Sequence, residues 1–94
     1  MTGHHAWALR ADRRQLPWAR LRAELLGLAQ TLEGLRVELI PEDRYMEQPD
    51  GGAFRDFGPV ATLHSDELGV LEAAAEELLL EFGFLIDLQD AHEA

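Results

Sequence analysis

The 94-residue chain is 47% hydrophobic and carries a net charge of −10, which leaves room for one domain with a modest core and makes it too apolar to stay unfolded. It has no cysteine, so disulfides, zinc–thiolate centres and thiol nucleophiles are excluded and the core must hold by packing alone. No run approaches the ~18 uncharged apolar residues of a membrane span, and the first residues lack the pattern of an export signal; a cytoplasmic protein without membrane contact is expected.

Charge is divided unevenly along the chain. Residues 1–36 hold six arginines against three acids, and residues 37–94 hold two arginines against fifteen acids. This division predicts a surface dipole. Affinity for nucleic acid comes mostly from cations that neutralise phosphates, so direct nucleic-acid binding is not expected. A basic partner protein suits such an acidic chain better, drawn in by long-range attraction or met by imitation of nucleic acid.

In chain order, Trp7, Leu9 and Ala11 alternate with Ala8 and Arg10, which predicts a strand over about residues 5–11. Pro17 suits the first turn of a helix, and Trp18, Leu21, Leu25, Leu28 and Leu32 follow at helical spacing to Gly34, a stop signal; the helix is expected over about 17–33. "RVELI" then reads as a half-buried second strand, and "VATLH" at 60–64 as a third. Ser65 reads as an N-cap, Asp66 and Glu67 as the acids of a first turn, and Leu68, Leu71, Ala75, Leu78 and Phe82 as the buried stripe of a helix over about 66–82, stopped by Gly83. "FLIDLQD" predicts a last strand with Phe84, Ile86 and Leu88 on one side, before a frayed tail at 90–94.

The order β-α-β-β-α-β is that of an α+β, ferredoxin-like two-layer sandwich: a single domain with an antiparallel four-stranded sheet in the order 4-1-3-2. Its middle strands need only a hairpin between them, and Pro49-Asp50-Gly51-Gly52 supplies turn chemistry. A long hairpin is therefore expected, about 36–48 and 53–64, with an arm at about 41–59. Pro41 and Pro59 cannot donate to a ladder and predict an edge, bulge or bend at its base. Tyr45, Met46, Phe54 and Phe57 on this arm are expected to cover the domain itself, a second subunit or a ligand.

Chemistry-bearing motifs are sparse. Ser65, the sole serine, has no base and acid at motif spacing. No phosphate-binding loop is present, and no cofactor or metal is expected. His4 and His5 are adjacent, and strand alternation points them apart; His92 lies in an acidic tail. His64, at a strand end, suits an anion contact, a pH-sensitive switch or a metal ligand alongside Asp66. Arg10, Asp12, Arg13 and Arg14 cluster at a strand-to-helix corner, where ligands often sit in two-layer folds. Were the chain an enzyme, Arg10, Arg14 and His64 would be the residues to replace.

The element order and the aspartate-bearing corner in "RADRRQLPWARLRAELLGLA" resemble the ACT domains, small regulatory modules that commonly bind amino acids at subunit interfaces. Where those domains usually carry a glycine, this corner has Gln15, Leu16 and Pro17. The long segment between strands two and three also looks like the mobile loop of PII-type signalling proteins. The resemblance implies a non-enzymatic regulatory module that self-associates, as a homodimer, and senses a small ligand. An acidic module that occupies a basic partner protein is the alternative.

Overall fold

The chain folds, in a computed structural model that describes residues 3–47 and 57–91, as β1 (His5–Asp12), α1 (Trp18–Thr31), β2 (Arg36–Leu39), α2 (Glu42–Tyr45), β3 (Phe57–Ser65), α3 (Leu68–Phe82) and β4 (Ile86–Asp90). The strands form one sheet in the order β2-β3-β1-β4, with every neighbouring pair antiparallel. Strand alternation divides it into two faces. Leu9, Ala11, Val37, Leu39, Ala61, Leu63, Ile86 and Leu88 point to the helices, while Ala6, Ala8, Arg10, Arg36, Glu38, Thr62, His64, Asp87 and Gln89 fall on the other side.

The helical stripes close the core as their spacing dictates. Leu21, Leu25 and Leu28 of α1 are buried, with Trp18 and Leu32 packed at the margin. From α3 the buried set is Leu71, Ala74, Leu78 and Phe82, so the stripe runs through Ala74 rather than Ala75, and Leu68 stays 42% exposed. Ser65 belongs to β3: its hydroxyl accepts the Glu67 amide at 3.1 Å, but the helix begins only at Leu68, with Glu67 at the N-cap position. Asp66 and Glu67 therefore precede the helix instead of forming its first turn. Gly34 (φ 90°) and Gly83 (φ 58°) adopt the left-handed angles that terminate α1 and α3. After Gly83 the chain makes a 3-10 turn through Leu85, which removes Phe84 from the final strand and leaves it 81% exposed. Strand β4 holds through Asp90, opposite Trp7, and the Ala91 amide donates to the Ala6 carbonyl at 2.8 Å, so the expected fraying at residue 90 does not occur. Among the described residues no helix is long and apolar enough to cross a membrane.

The long hairpin predicted between β2 and β3 is not what the chain builds. Strand β2 ends at Leu39, and Pro41, with φ −61° and no N–H to donate, opens a single helical turn, α2, instead of extending the ladder. The expected turn at 49–52 lies outside the described residues. Pro59 does mark a bulge: β1 and β3 pair in register from His5↔Ser65 to Leu9↔Ala61, then slip so that Arg10 faces Pro59. Val60 is the extra residue, and it is buried together with Ala61.

Three hydrogen bonds fasten the segment after β2 to the corner between β1 and α1. The Tyr45 hydroxyl donates to the Leu16 carbonyl at 2.6 Å, the Trp18 indole N–H to the Ile40 carbonyl at 3.0 Å, and Arg13 Nη1 to the Arg44 carbonyl at 2.8 Å. Tyr45 is 1% exposed, so it is a core residue and not part of an external interface. Replacing Tyr45 with Phe keeps the ring but leaves a buried carbonyl short of its donor; stability should fall by about 1–3 kcal/mol in urea unfolding without loss of helical signal. An unchanged midpoint would show that this tie is not a structural constraint.

Candidate functional site

The sheet face turned away from the helices carries small side chains along its middle, Ala6 and Ala8 on β1, and ionisable groups at both ends. At the bulged end Arg10 gathers several contacts. Its Nη2 donates to the Phe57 carbonyl at 2.9 Å, its Nη1 lies 3.7 Å from an Asp87 carboxylate oxygen, and its guanidinium carbon sits 5.7 Å from the Phe57 ring centre. Beside the bulge a solvent-open cleft of about 250 Å³ is lined by Glu38, Leu39, Ile40, Pro59, Ala61 and Thr62.

The opposite end holds a chain of four ionisable side chains. His64 stands across from Arg36 on β2 and from Ala6 on β1, so its ring reaches both the edge strand and the segment before β1. Its Nε2 meets the Glu38 carboxylate at 2.5 Å, its Nδ1 meets His4 Nε2 at 3.0 Å, and the two rings stack with centres 5.1 Å apart. His4 Nδ1 lies 3.8 Å from Asp66. Donor and acceptor roles follow from the carboxylate: Glu38 accepts, so His64 carries its proton on Nε2 and offers a lone pair at Nδ1. His4 then donates from Nε2 to that lone pair. His5 pairs with Ser65 and falls on the other face of the sheet.

The corner after β1 is a turn organised around Asp12. Asp12 is 1% exposed, and its carboxylate accepts the Arg14 amide at 3.1 Å and the Gln15 side-chain amide at 2.9 Å, while its carbonyl accepts the Gln15 and Leu16 amides. This is a self-bonded turn that aims Leu16 into the core. Arg14 is exposed at its rim, and Arg13 reaches toward α2.

A third surface lies on the helical layer. Leu80, 78% exposed, lies in the last turn of α3 and Phe84 just past the Gly83 stop that ends the helix, while Glu72, Glu76, Glu77 and Glu81, all exposed, lie on the same helix. Glu81 meets Arg20 of α1 at 3.0 Å, and Arg20 also lies 5.1 Å from the Phe82 ring centre. Glu24 of α1 faces the same acidic ridge: burial, together with Glu81 and Glu77, raises its carboxyl above the ordinary range, and Arg20 offsets this only in part.

The site residues expected from the sequence thus divide among separate places. Arg10 and His64 share the uncovered sheet face at opposite ends; Asp12, Arg13 and Arg14 form the corner; Met46 is exposed after α2, Phe57 is held by Arg10, and Phe54 lies outside the described residues. Sequence reasoning missed Glu38 and His4 as neighbours of His64, because strand pairing brings together residues 26 and 60 positions apart. It also missed Leu80, although its place off the buried stripe of α3 was visible, and it set Phe84 in the last strand. No protein-family model, curated protein or solved structure matches the chain.

The raised Glu24 carboxyl has a definite pH consequence. A carboxyl whose folded value lies above its unfolded one favours the native state when protonated, so its contribution worsens as pH rises through the carboxylate range. Glu24→Gln should raise the thermal midpoint at pH 7, and the two proteins should converge at about pH 4 and below. Equal midpoints at pH 7 would contradict the acidic-ridge account.

Proposed function

We propose that the chain is a non-enzymatic, ferredoxin-like interaction module that binds a basic, amphipathic segment of a partner protein along α3. The ferredoxin-like reading is supported by the sheet order, which from its far edge runs β4-β1-β3-β2 with antiparallel neighbours throughout. The observation that carries the binding reading is that Leu80 and Phe84 are both left in water at the C-terminal end of α3, a helix that also exposes Glu72, Glu76, Glu77 and Glu81. Large apolar side chains left in water mark contact sites, and the acids around them select the sign of the partner. A second copy of this ridge is a poor occupant, because its carboxylates would meet like charge. An opposing helix with leucines on one face and arginines or lysines beside them satisfies both features.

Self-association through the uncovered sheet face is the second reading. It is favoured by the pairing of both charge signs there, Arg10 and Arg36 with Glu38 and Asp87, around the small Ala6 and Ala8, a pattern that a twofold partner can complement. That contact would leave the α3 ridge free, so a regulatory module could use both surfaces.

The binding reading is tested by fluorescence anisotropy with a labelled amphipathic Leu/Arg helix and a scrambled peptide of equal composition. Leu80→Ser and Phe84→Ser alter exposed side chains and should each weaken the amphipathic peptide about tenfold, since an anchoring apolar residue contributes upwards of ~1 kcal/mol. Binding should also fall steeply between low and high salt. Equal affinity for the scrambled peptide, or for the two serine variants, would overturn the reading.

A further inference from the structure

We propose that His4 and His64 form a binding site for a late first-row divalent ion such as Cu²⁺ or Zn²⁺, which takes the place of the proton the two rings share. Nitrogens bound to one such ion at ~2.0–2.1 Å sit roughly 2.9–3.4 Å apart for inter-bond angles between square and tetrahedral. His4 Nε2 and His64 Nδ1 are 3.0 Å apart. Each ring also turns its other nitrogen toward a carboxylate: His64 Nε2 to Glu38 at 2.5 Å, and His4 Nδ1 to Asp66 at 3.8 Å. A carboxylate hydrogen-bonded behind an imidazole, as Glu38 is behind His64, is the arrangement that fixes the tautomer of a metal-bound histidine and raises its basicity; Asp66, beyond hydrogen-bond reach of His4, adds its negative charge.

Without metal, a proton lies between His4 Nε2 and His64 Nδ1. With metal, the His4 proton moves from Nε2 to Nδ1, on the side of Asp66, His64 keeps its N–H on Glu38, and the two free lone pairs take the cation. No net proton is released from two neutral rings. Glu38 and Asp66 supply two negative charges beside the site, against the single positive charge of Arg36 across from His64. Among the described residues no group of three or more His, Asp or Glu side chains is arranged to hold an ion. The site is therefore a two-histidine one in which water fills the remaining positions, with micromolar rather than tighter affinity, and open to exchange. His64 is held on β3 and its neighbour Glu38 on β2, so the backbone supports one ligand rigidly while His4, ahead of β1, closes onto it.

The test is titration of the full chain with CuCl₂ and with ZnCl₂ in a non-coordinating buffer, read by calorimetry and by ¹⁵N chemical shifts of the imidazole nitrogens. One equivalent should bind, shifting Nε2 of His4 and Nδ1 of His64 while their partner nitrogens stay protonated. His4→Gln and His64→Gln should each weaken binding at least tenfold, Glu38→Gln should weaken it roughly tenfold through its hold on His64, and a His5→Gln, His92→Gln double variant should bind as the parent does. The proposal is overturned by no saturable binding below about 1 mM, or by binding that survives both His4→Gln and His64→Gln. A stoichiometric response lost only in the double variant would likewise sink it by placing the ion elsewhere.

Discussion

The corner between β1 and α1 depends on its attachment to the segment that follows β2, and much else depends on that attachment. The Tyr45 hydroxyl reaches the Leu16 carbonyl across 29 residues, and Trp18 reaches the Ile40 carbonyl across 22. Each bond satisfies a backbone carbonyl at a point where the regular ladder has stopped, and an unsatisfied buried carbonyl costs more than a made bond contributes. Together they hold β2, only four residues long, against a sheet in which it has a single neighbour, β3. They also explain why an aromatic in the middle of a polar stretch is an interior residue: Tyr45 fills the space beneath the turn that Asp12 organises.

That attachment leaves the molecule with two chemically different sides. The helical layer presents carboxylates and two large apolar side chains; the uncovered sheet face presents both charge signs and the histidine chain. The division of charge along the chain, basic before residue 37 and acidic after it, does not become a simple dipole. Strand and helix order interleaves the halves, so Arg20 of α1 meets Glu81 of α3 and Arg10 of β1 meets Asp87 of β4. The α3 ridge remains rich in carboxylates, and there burial, together with the charges of Glu81 and Glu77, raises the Glu24 carboxyl above its ordinary range. Pairing with the few available arginines is thus spent on the inner edges of the helices, and the outer edge stays acidic.

The bulge at Val60 has a role in this arrangement. By inserting one residue opposite the Leu9–Arg10 step, it buries Val60 and Ala61 in succession and still sets Pro59 against Arg10. Proline has no N–H to contribute at that point of the ladder, and the shift of register accommodates it. The same bulge shapes the cleft beside Glu38, so the cleft, the Arg10 cluster and the end of β2 form one neighbourhood on the sheet.

The sequence by itself determined the local elements: alternation placed four strands, leucine spacing placed α1 and α3, Gly34 and Gly83 ended them, and Pro59 signalled an edge, a bulge or a bend. These signals are local, written in the period of side-chain burial and in residues whose backbone angles are restricted. Only the tertiary structure decided which residues meet. The fate of Pro41, opening a helical turn instead of bending a hairpin, depended on buried partners for Tyr45 and Trp18 that lie far off in the chain. The approach of His4 and Glu38 to His64 depended on strand register, which is set by the pairing of whole apolar faces and leaves no mark at the residues it joins.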